Sequence, residues 1–374
     1  MSRRVRGAYV MHALQGAGAE GRVSESIRGA QDRLDPVILC LDEIGALGEE
    51  LRQEGVPVEV LGRQPGIDFT LVRRLGQALS THQAEVVHAH QYTPFFYAAA
   101  SRLVARQQGG LVFTEHGRHF PDVVSGRRRR LNRFLFARLV REINACSEFS
   151  GRALSEVDGF PADRVEVIEN GIEPDLYGVE RERSALRREL GWSEEARMII
   201  CVARFHPVKD HRTLVEAFSL VRSARPAAEL VLVGEGPERA SIEQQIHSLG
   251  LDGSVSMLGV RHDGPERLAA SDIFCMTSLS EAASLTVLEA MASRLPVVVT
   301  EVGGNPEMVR SGREGLLVPR QDPAAAAQAI ETLLMDDDQA RAMGRAARRR
   351  VEAHYDLERT VARHLEVYDR VAAH

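Results

Sequence analysis

The stretch RFHPVKDH, residues 204–211, contains the only lysine of the chain; its other 46 Lys/Arg positions are all arginine. Arg204 and Lys209 fall in ICVARFHPVKDH, which reads as a strand running through a loop into a helix. Two cations on a strand-end loop suit a diphosphate leaving group. Negative charge grows on the departing phosphate oxygen, and preorganised cations stabilise it. Arginine offers a planar fork and lysine a compact charge on a flexible stem. The alternative is a solvated loop lysine left by chance.

A second candidate is SLSEAASLTVLEAMASRLPVVVT, residues 278–300, with Glu281 and Glu289. Eight residues apart on one continuous helix, they would point about 80° away from each other. The apolar series beginning at Leu285 places a helix start near Ser284. Glu281 then lies in the loop before the helix, and Glu289 lies inside it. A helix N-terminus has unpaired amides and a positive dipole end, a ready phosphate site. Ala283, Ser284 and Leu285 are placed to offer backbone N–H groups. The carboxylates are placed to hold ribose and sugar hydroxyls. Alone, the pair also fits a helix cap plus a surface glutamate.

Further candidates lie in the first half. LQGAGAEGRVSESI carries Gly16, Gly18 and Gly21 between a strand and a helix, where glycine permits close backbone approach to a ligand. His116, in TEHGRHF, follows a strand; it is a hydrogen-bond donor candidate or a structural histidine at a strand end. His88 and His90 in VVHAH, and His119, are weaker candidates and are not assigned. SGRRRRLNRFLFARLVRE, with Arg127–Arg130, Arg133, Arg138 and Arg141, reads as an amphipathic helix. Either Phe134, Leu135 and Leu139 pack on the first sheet as core, or the helix meets an anionic membrane surface. The two are compatible if only the arginines touch lipid.

The elements that must position these residues alternate strand and helix. Strands are expected at Val5–Val10, Pro36–Leu41, Pro57–Leu61, Glu85–Ala89, Leu111–Thr114, Glu142–Cys146 and Val165–Ile168. In the second half they are expected at Met198–Ala203, Glu229–Val233, Ser254–Leu258, Asp272–Thr277, Pro296–Thr300 and Gly315–Val318. Most are continuous apolar runs, the mark of strands buried on both faces of a parallel sheet. Helices are expected between them, as at Thr213–Ser223 and Ala324–Met335. The fold class is α/β, with two Rossmann-like doubly wound domains facing a central cleft. The domains are 1–175 and 176–355. A last helix, 356–374, is expected to pack back on the first domain, since Leu357, Val361, Leu365, Tyr368 and Val371 share one face.

Composition narrows the class. The chain has 374 residues, 44% hydrophobic, with a formal net charge of −6. This argues for packed cores and against a nucleic-acid partner. No apolar run approaches the roughly 20 residues of a membrane span. The N-terminus reads as a first strand rather than a signal peptide. Cys40, Cys146, Cys201 and Cys275 lack metal-ligand spacing and read as buried free thiols of a cytoplasmic protein.

The order of Arg…Lys, LVLVGEGPE, SMLGVRHD, the two-glutamate helix and PVVVTEVGGNPEMVRSGREGLLVP resembles the C-terminal domain of family 4 type glycosyltransferases, which have GT-B architecture. VVHAHQYTPFFYAAASRL, VFTEHGRHF and VIENGIEP in the first half resemble the same family. The resemblance implies a nucleotide-sugar donor, transfer with retention and no bound divalent metal. By it, Arg204 and Lys209 bind the donor diphosphate and Glu289 the ribose. Glu281 lies beside the donor sugar, and Gly259, Val260 and Arg261 near the nucleobase. His116 corresponds to an active-site histidine, and Gly18 and Glu20 lie beside the donor–acceptor junction. The acceptor is a small molecule or lipid-linked, and the location is the cytoplasm or the inner membrane face.

The chain departs from the family at Ala282, Ala17 and Gly21, and at Arg294–Leu295, where the family commonly has glycine. This last change costs little if the turn has φ < 0. The only Asp-x-Asp pair, Asp336 with Asp338, follows a helix and reads as a solvated turn. Two other classes stay open: a nucleotide-sugar epimerase of the same plan, and a non-catalytic nucleotide-sugar binding protein. A pyridoxal-dependent phosphorylase does not fit, because the single lysine lies too early.

Overall fold

The computed structural model describes residues 3–16, 18–105, 109–117, 126–178 and 182–373. The chain divides into two compact units, Met1–Asn170 with Leu357–His374, and Gly171–Asp356.

The first unit holds a parallel sheet of β1 Val5–Met11, β2 Leu34–Cys40, β3 Val58–Val60, β4 Val86–His90, β5 Gly110–Glu115, β6 Val140–Ala145 and β7 Val165–Val167. Its strand order is β3-β2-β1-β4-β5-β6-β7. The second holds β8 Arg197–Val202, β9 Ala228–Val233, β10 Val255–Met257, β11 Ile273–Met276, β12 Val297–Thr300 and β13 Gly315–Val318. Its order is β10-β9-β8-β11-β12-β13, again parallel throughout. The strands lie within two residues of the apolar runs expected to form them. Central strands such as β4, β5, β11 and β12 are buried at every residue. That explains why they read as unbroken apolar stretches rather than alternating ones.

Each sheet grows outward from its first strand and then reverses. The reversal falls between β1 and β4 in the first unit and between β8 and β11 in the second. Helices cover opposite faces on either side of such a point, so the loops after the two strands part and leave a crevice.

The C-terminal helix Leu357–Ala372 packs in the first unit, with Val361, Val367, Tyr368 and Val371 buried. Ion pairs Arg33–Asp369 at 2.9 Å, Arg370–Glu166 at 2.7 Å and Arg370–Glu142 at 3.2 Å pin its polar side. All four cysteines are buried free thiols, and burial pushes Cys146 and Cys201 up to about 12.

Two expectations fail. The arginine-rich segment is not one amphipathic helix. It comprises a helix Gly126–Leu131, a π-helical turn Asn132–Phe136 and a short turn Ala137–Leu139. Phe134 and Leu135 are 56% and 36% exposed and so are not core, while Phe136 is buried against Phe95. The cause is the buried Asn132. Its Oδ1 accepts from Tyr92 Oη at 2.8 Å and its Nδ2 donates to Asp158 O at 2.9 Å. The widened turn needed to seat it rotates the next two side chains outward. Leu139 is partly buried, as the packed alternative requires.

At the second failure, Arg294 has φ 61. The condition under which it would replace glycine cheaply is not met. A non-glycine residue in the left-handed region costs roughly 1–2 kcal/mol.

Candidate functional site

At the reversal point of the second sheet the structure brings two of the charged candidates, Lys209 and Glu281, together. After β8 the chain makes a 3-10 turn Pro207–Lys209, then passes through Asp210 at φ 45 into the helix His211–Ala224. Asp210 caps that helix, accepting from Thr213 N at 3.3 Å and Thr213 Oγ1 at 2.7 Å. The loop after β11 is bonded to this turn by Leu279 N donating to Val208 O at 2.7 Å and Thr277 Oγ1 donating to Asp210 O at 2.8 Å. These bonds bring Lys209 and Glu281 together across 72 residues of sequence: Lys209 Nζ lies 2.5 Å from Glu281 Oε1. The lysine side chain is 19% exposed and that of Glu281 8%. Lys209 is therefore a held group, not a solvated loop lysine. A carboxylate fixes its ammonium beside the strand ends, leaving other N–H bonds to donate.

Glu281 is itself fixed by the loop after β12. Gly304 N donates to Glu281 O at 3.0 Å. Gly303, at φ 57, passes so close that a Cβ there would sit 1.7 Å from Glu281 O. Only glycine allows both the backbone angle and the approach. Gly303 is a site residue that the sequence signalled only as part of a motif.

Three residues beyond Glu281, Ser284 opens the helix Leu285–Ala292 but does not cap it. Its hydroxyl turns to Thr286 Oγ1 at 3.2 Å and Met276 Sδ at 3.9 Å. Asp210, Asp322 and Asp336 all cap their own helices with side-chain oxygens. An N-terminus without a side-chain cap, next to an ammonium, is suited to an anion. Ala283 and Leu285 flank it and are partly buried, and Glu289 is partly buried within the helix. Arg204 is exposed at the start of the same β8 loop.

Gly259 and Val260 follow β10, and Gly259 O accepts from Gly234 N at 2.9 Å in the loop after β9. Val260 is 66% exposed. The Arg261 guanidinium is held bidentately by Asp263 at 3.0 Å, so this loop offers a ligand chiefly its backbone and the Val260 side chain. Asp336 caps the helix Asp337–His354, while Asp337 pairs with Arg197 at 3.1 Å and Asp338 with Arg341 at 2.7 Å. These aspartates are structural.

The reversal point of the first sheet differs in charge. Gly18, at φ 66, precedes the helix Ala19–Gly29. Glu20 folds back to accept from Gln15 N at 2.6 Å and Gly16 N at 3.3 Å. Its carboxylate occupies the amides that would otherwise attract an anion. Gly21 lies within that helix, while Ala17 and His119 lie outside the described residues.

His116 follows β5 directly, and its Nε2 lies 2.8 Å from His90 Nδ1. Burial and the neighbouring His364 push it down to about 3. It is therefore a neutral imidazole, a hydrogen-bonding group rather than a cation. His88 and His90 are both buried in β4.

Two parallel α/β units, each with a reversal point in its strand order, define the class of two-domain Rossmann-like proteins. The family description "Glycosyl transferases group 1" matches residues 182–350, and "Glycosyltransferase Family 4" matches residues 16–176. The chain is 29% identical over 311 residues to N-acetyl-alpha-D-glucosaminyl L-malate synthase of Bacillus anthracis, covering 81% of this chain and 79% of that protein. It is 33% identical over 235 residues to D-inositol 3-phosphate glycosyltransferase of Salinispora arenicola, covering 58% and 52%. Its fold matches that of Anabaena HepE in complex with UDP and glucose, with TM-score 0.86, 25% identity and coverage of 98% and 100%. The chain belongs to the family 4 type glycosyltransferases of GT-B architecture.

Proposed function

We propose that the chain moves a sugar from a nucleoside-diphosphate donor to an acceptor hydroxyl with retention of anomeric configuration and without a divalent metal. The observation that carries this reading is the Lys209–Glu281 pair held at the reversal point beside the uncapped helix start. The UDP and glucose bound by Anabaena HepE support a donor of this class. In the proposed reaction the bond between the anomeric carbon and the phosphate oxygen breaks, and its electrons stay on that oxygen. Lys209, Arg204 and the amides near Ala283, Ser284 and Leu285 stabilise the charge. The acceptor oxygen bonds the anomeric carbon from the same face and passes its proton to the departing phosphate. Glu281 positions Lys209 and faces the sugar, Glu289 holds the ribose, and Gly259 and Val260 flank the base. His116 supplies a neutral hydrogen bond to the sugar.

Incubation with UDP-, GDP-, ADP- and TDP-sugars, with and without EDTA, followed by NMR of the product's anomeric centre, tests the reading. Retention and EDTA insensitivity are expected. An inverted product removes the stereochemistry, EDTA-sensitive turnover removes metal independence, and epimerisation of the donor alone replaces transfer.

The exposed Arg127, Arg129, Arg130, Arg133, Arg138 and Arg141, interleaved with exposed Phe134 and Leu135, support a peripheral contact with anionic lipid. Flotation with liposomes should then require anionic lipid and weaken in Phe134→Ser; binding indifferent to lipid charge removes the contact. Among the described residues no helix is long and apolar enough to cross a membrane.

A further inference from the structure

The first unit packs four imidazoles and two phenols in one cluster: His88 and His90 from β4, His116 after β5, Tyr9 from β1, and His364 and Tyr368 from the C-terminal helix, with His116 and His364 partly buried and the others buried. Its hydrogen bonds can be followed from one end. Tyr368 Oη donates to Tyr9 Oη at 3.2 Å. The Tyr368 oxygen, 2.6 Å from His88 Nδ1, then accepts from His88 Nδ1–H. That leaves His88 Nε2 to accept from Thr114 Oγ1 at 2.7 Å. Both nitrogens of His88 are thereby used, and its ring forms a wall 4.0 Å from the ring of His90. On another side His90 lies parallel to Tyr9, within 9° at 5.9 Å. His90 is thus immobilised, and it meets His116 through one bond. Their planes agree within 17° and their centroids lie 5.1 Å apart. This fits two rings meeting edge to edge through N–H···N rather than lying face to face.

One proton sits between His90 Nδ1 and His116 Nε2, and two arrangements are open to it. Among the described residues His90 Nε2 and His116 Nδ1 are buried without a partner. If His116 Nε2 donates, His90 carries its own proton on Nε2, deep in the unit, where it is 4% exposed and faces no acceptor. If His90 Nδ1 donates, the unmatched N–H is His116 Nδ1, an atom itself buried but on a residue that is partly exposed at the strand end. Each arrangement leaves one buried N–H unmatched, and the second places it on the less buried residue, at the strand end rather than deep in the unit.

We infer that His90 is the positioning residue for His116: its Nδ1–H donates to His116 Nε2 and so fixes the His116 proton on Nδ1. His116 is then a hydrogen-bond donor through Nδ1 and has no free lone pair with which to act as a base. The C-terminal helix takes part by locking His88, which backs His90. The functional meaning rests on the proposed placement of His116 at the sugar; the tautomer itself does not.

The test is long-range 1H–15N correlation NMR of the full chain labelled with [15N]histidine, at pH 7, with His116→Gln to assign the signals. The wild type should show His116 neutral and protonated on Nδ1. His90→Phe should lose that single tautomer. His90→Asn, whose amide nitrogen can stand where Nδ1 stood, should keep it. An Nε2-protonated His116 in the wild type overturns the inference, even if the Phe variant fails to fold. An unchanged tautomer in His90→Phe also overturns it. With a donor sugar that turns over, His90→Phe should lower kcat about 10- to 100-fold, the scale seen when the partner that orients a metal-bound histidine is removed, with UDP affinity changed less than about threefold. His90→Asn should recover most of the loss; an equal loss in both variants contradicts the inference. Absence of transfer from every nucleotide sugar would defeat the functional reading and leave the NMR result standing.

Discussion

Both sheets begin with the same strand sequence outward from their first member, so each has a reversal point, yet they are furnished in opposite ways. Helices without a side-chain cap follow both points, Ala19–Gly29 in the first unit and Leu285–Ala292 in the second; in the second, the loop before the helix carries Glu281, 2.5 Å from the Lys209 ammonium. In the first, the carboxylate of Glu20 already fills the amides at the glycine turn, and the nearby strand end displays a neutral histidine. Topology makes the crevice, and the charged side chains around the loop before each helix set the charge it accepts. The second is the proposed seat of the phosphate. The first is suited to hydroxyls, which need donors and acceptors without net charge.

The largest effect that should separate the units is acid sensitivity. An unfolded histidine titrates near about 6.5. Folded, His116 is pushed down to about 3 and His364 to about 4, with His88 and His90 well below their ordinary value, chiefly by burial. Below 6.5 the unfolded chain takes up protons that the folded first unit refuses. Stability is full above that pH and falls as pH drops towards 4, by up to about 1.4 kcal/mol per pH unit for each histidine. Among the described residues the second unit has one such group, His211, pushed down to about 4. Hydrogen exchange between pH 7.5 and 4.5 should show the first unit opening first; the reverse order would break the comparison.

Next in size is Lys209→Ala. Removing a donor from developing oxyanion charge costs about 10²- to 10³-fold in kcat, with a smaller change in KM if its action is confined to the transition state. Steady-state kinetics with a turned-over donor measure this, and unchanged kcat removes Lys209 from the reaction.

Smallest is Arg294→Gly. The exposed Arg294 sits at φ 61, so glycine should stabilise the chain by about 1 kcal/mol and raise the Tm of the second unit by roughly 2–4 °C. A calorimetric Tm that falls instead would mean the side chain contributes more than the strain costs.

These predictions draw on features of unequal visibility in the sequence. The strands were legible because burial on both faces leaves unbroken apolar runs, and β4, β11 and β12 have such runs. The helix start at Ser284 was legible from its apolar series. The contact between Lys209 and Glu281 was not. It depends on Val208 and Asp210 accepting bonds from the β11 loop, an outcome of sheet order rather than of local pattern. The histidine cluster was hidden for the same reason: His88 meets Tyr368 across 280 residues. Helical periodicity misplaced Phe134 and Leu135 because it assumes a regular helix, and the buried Asn132 forces a wider turn. The φ of Arg294 is set by how its turn closes between the helix Leu285–Ala292 and β12, which side-chain type alone does not report.

The central claim is that the second reversal point, and not the first, seats the donor's diphosphate. A crystal structure of the chain with UDP tests it most directly. Phosphate oxygens are expected within about 3.2 Å of Lys209 Nζ and of the backbone amides at the start of the helix Leu285–Ala292, with Glu281 still beside the lysine. Phosphates bound at the Gly16–Gly18 turn, or anywhere out of reach of Lys209, would contradict it.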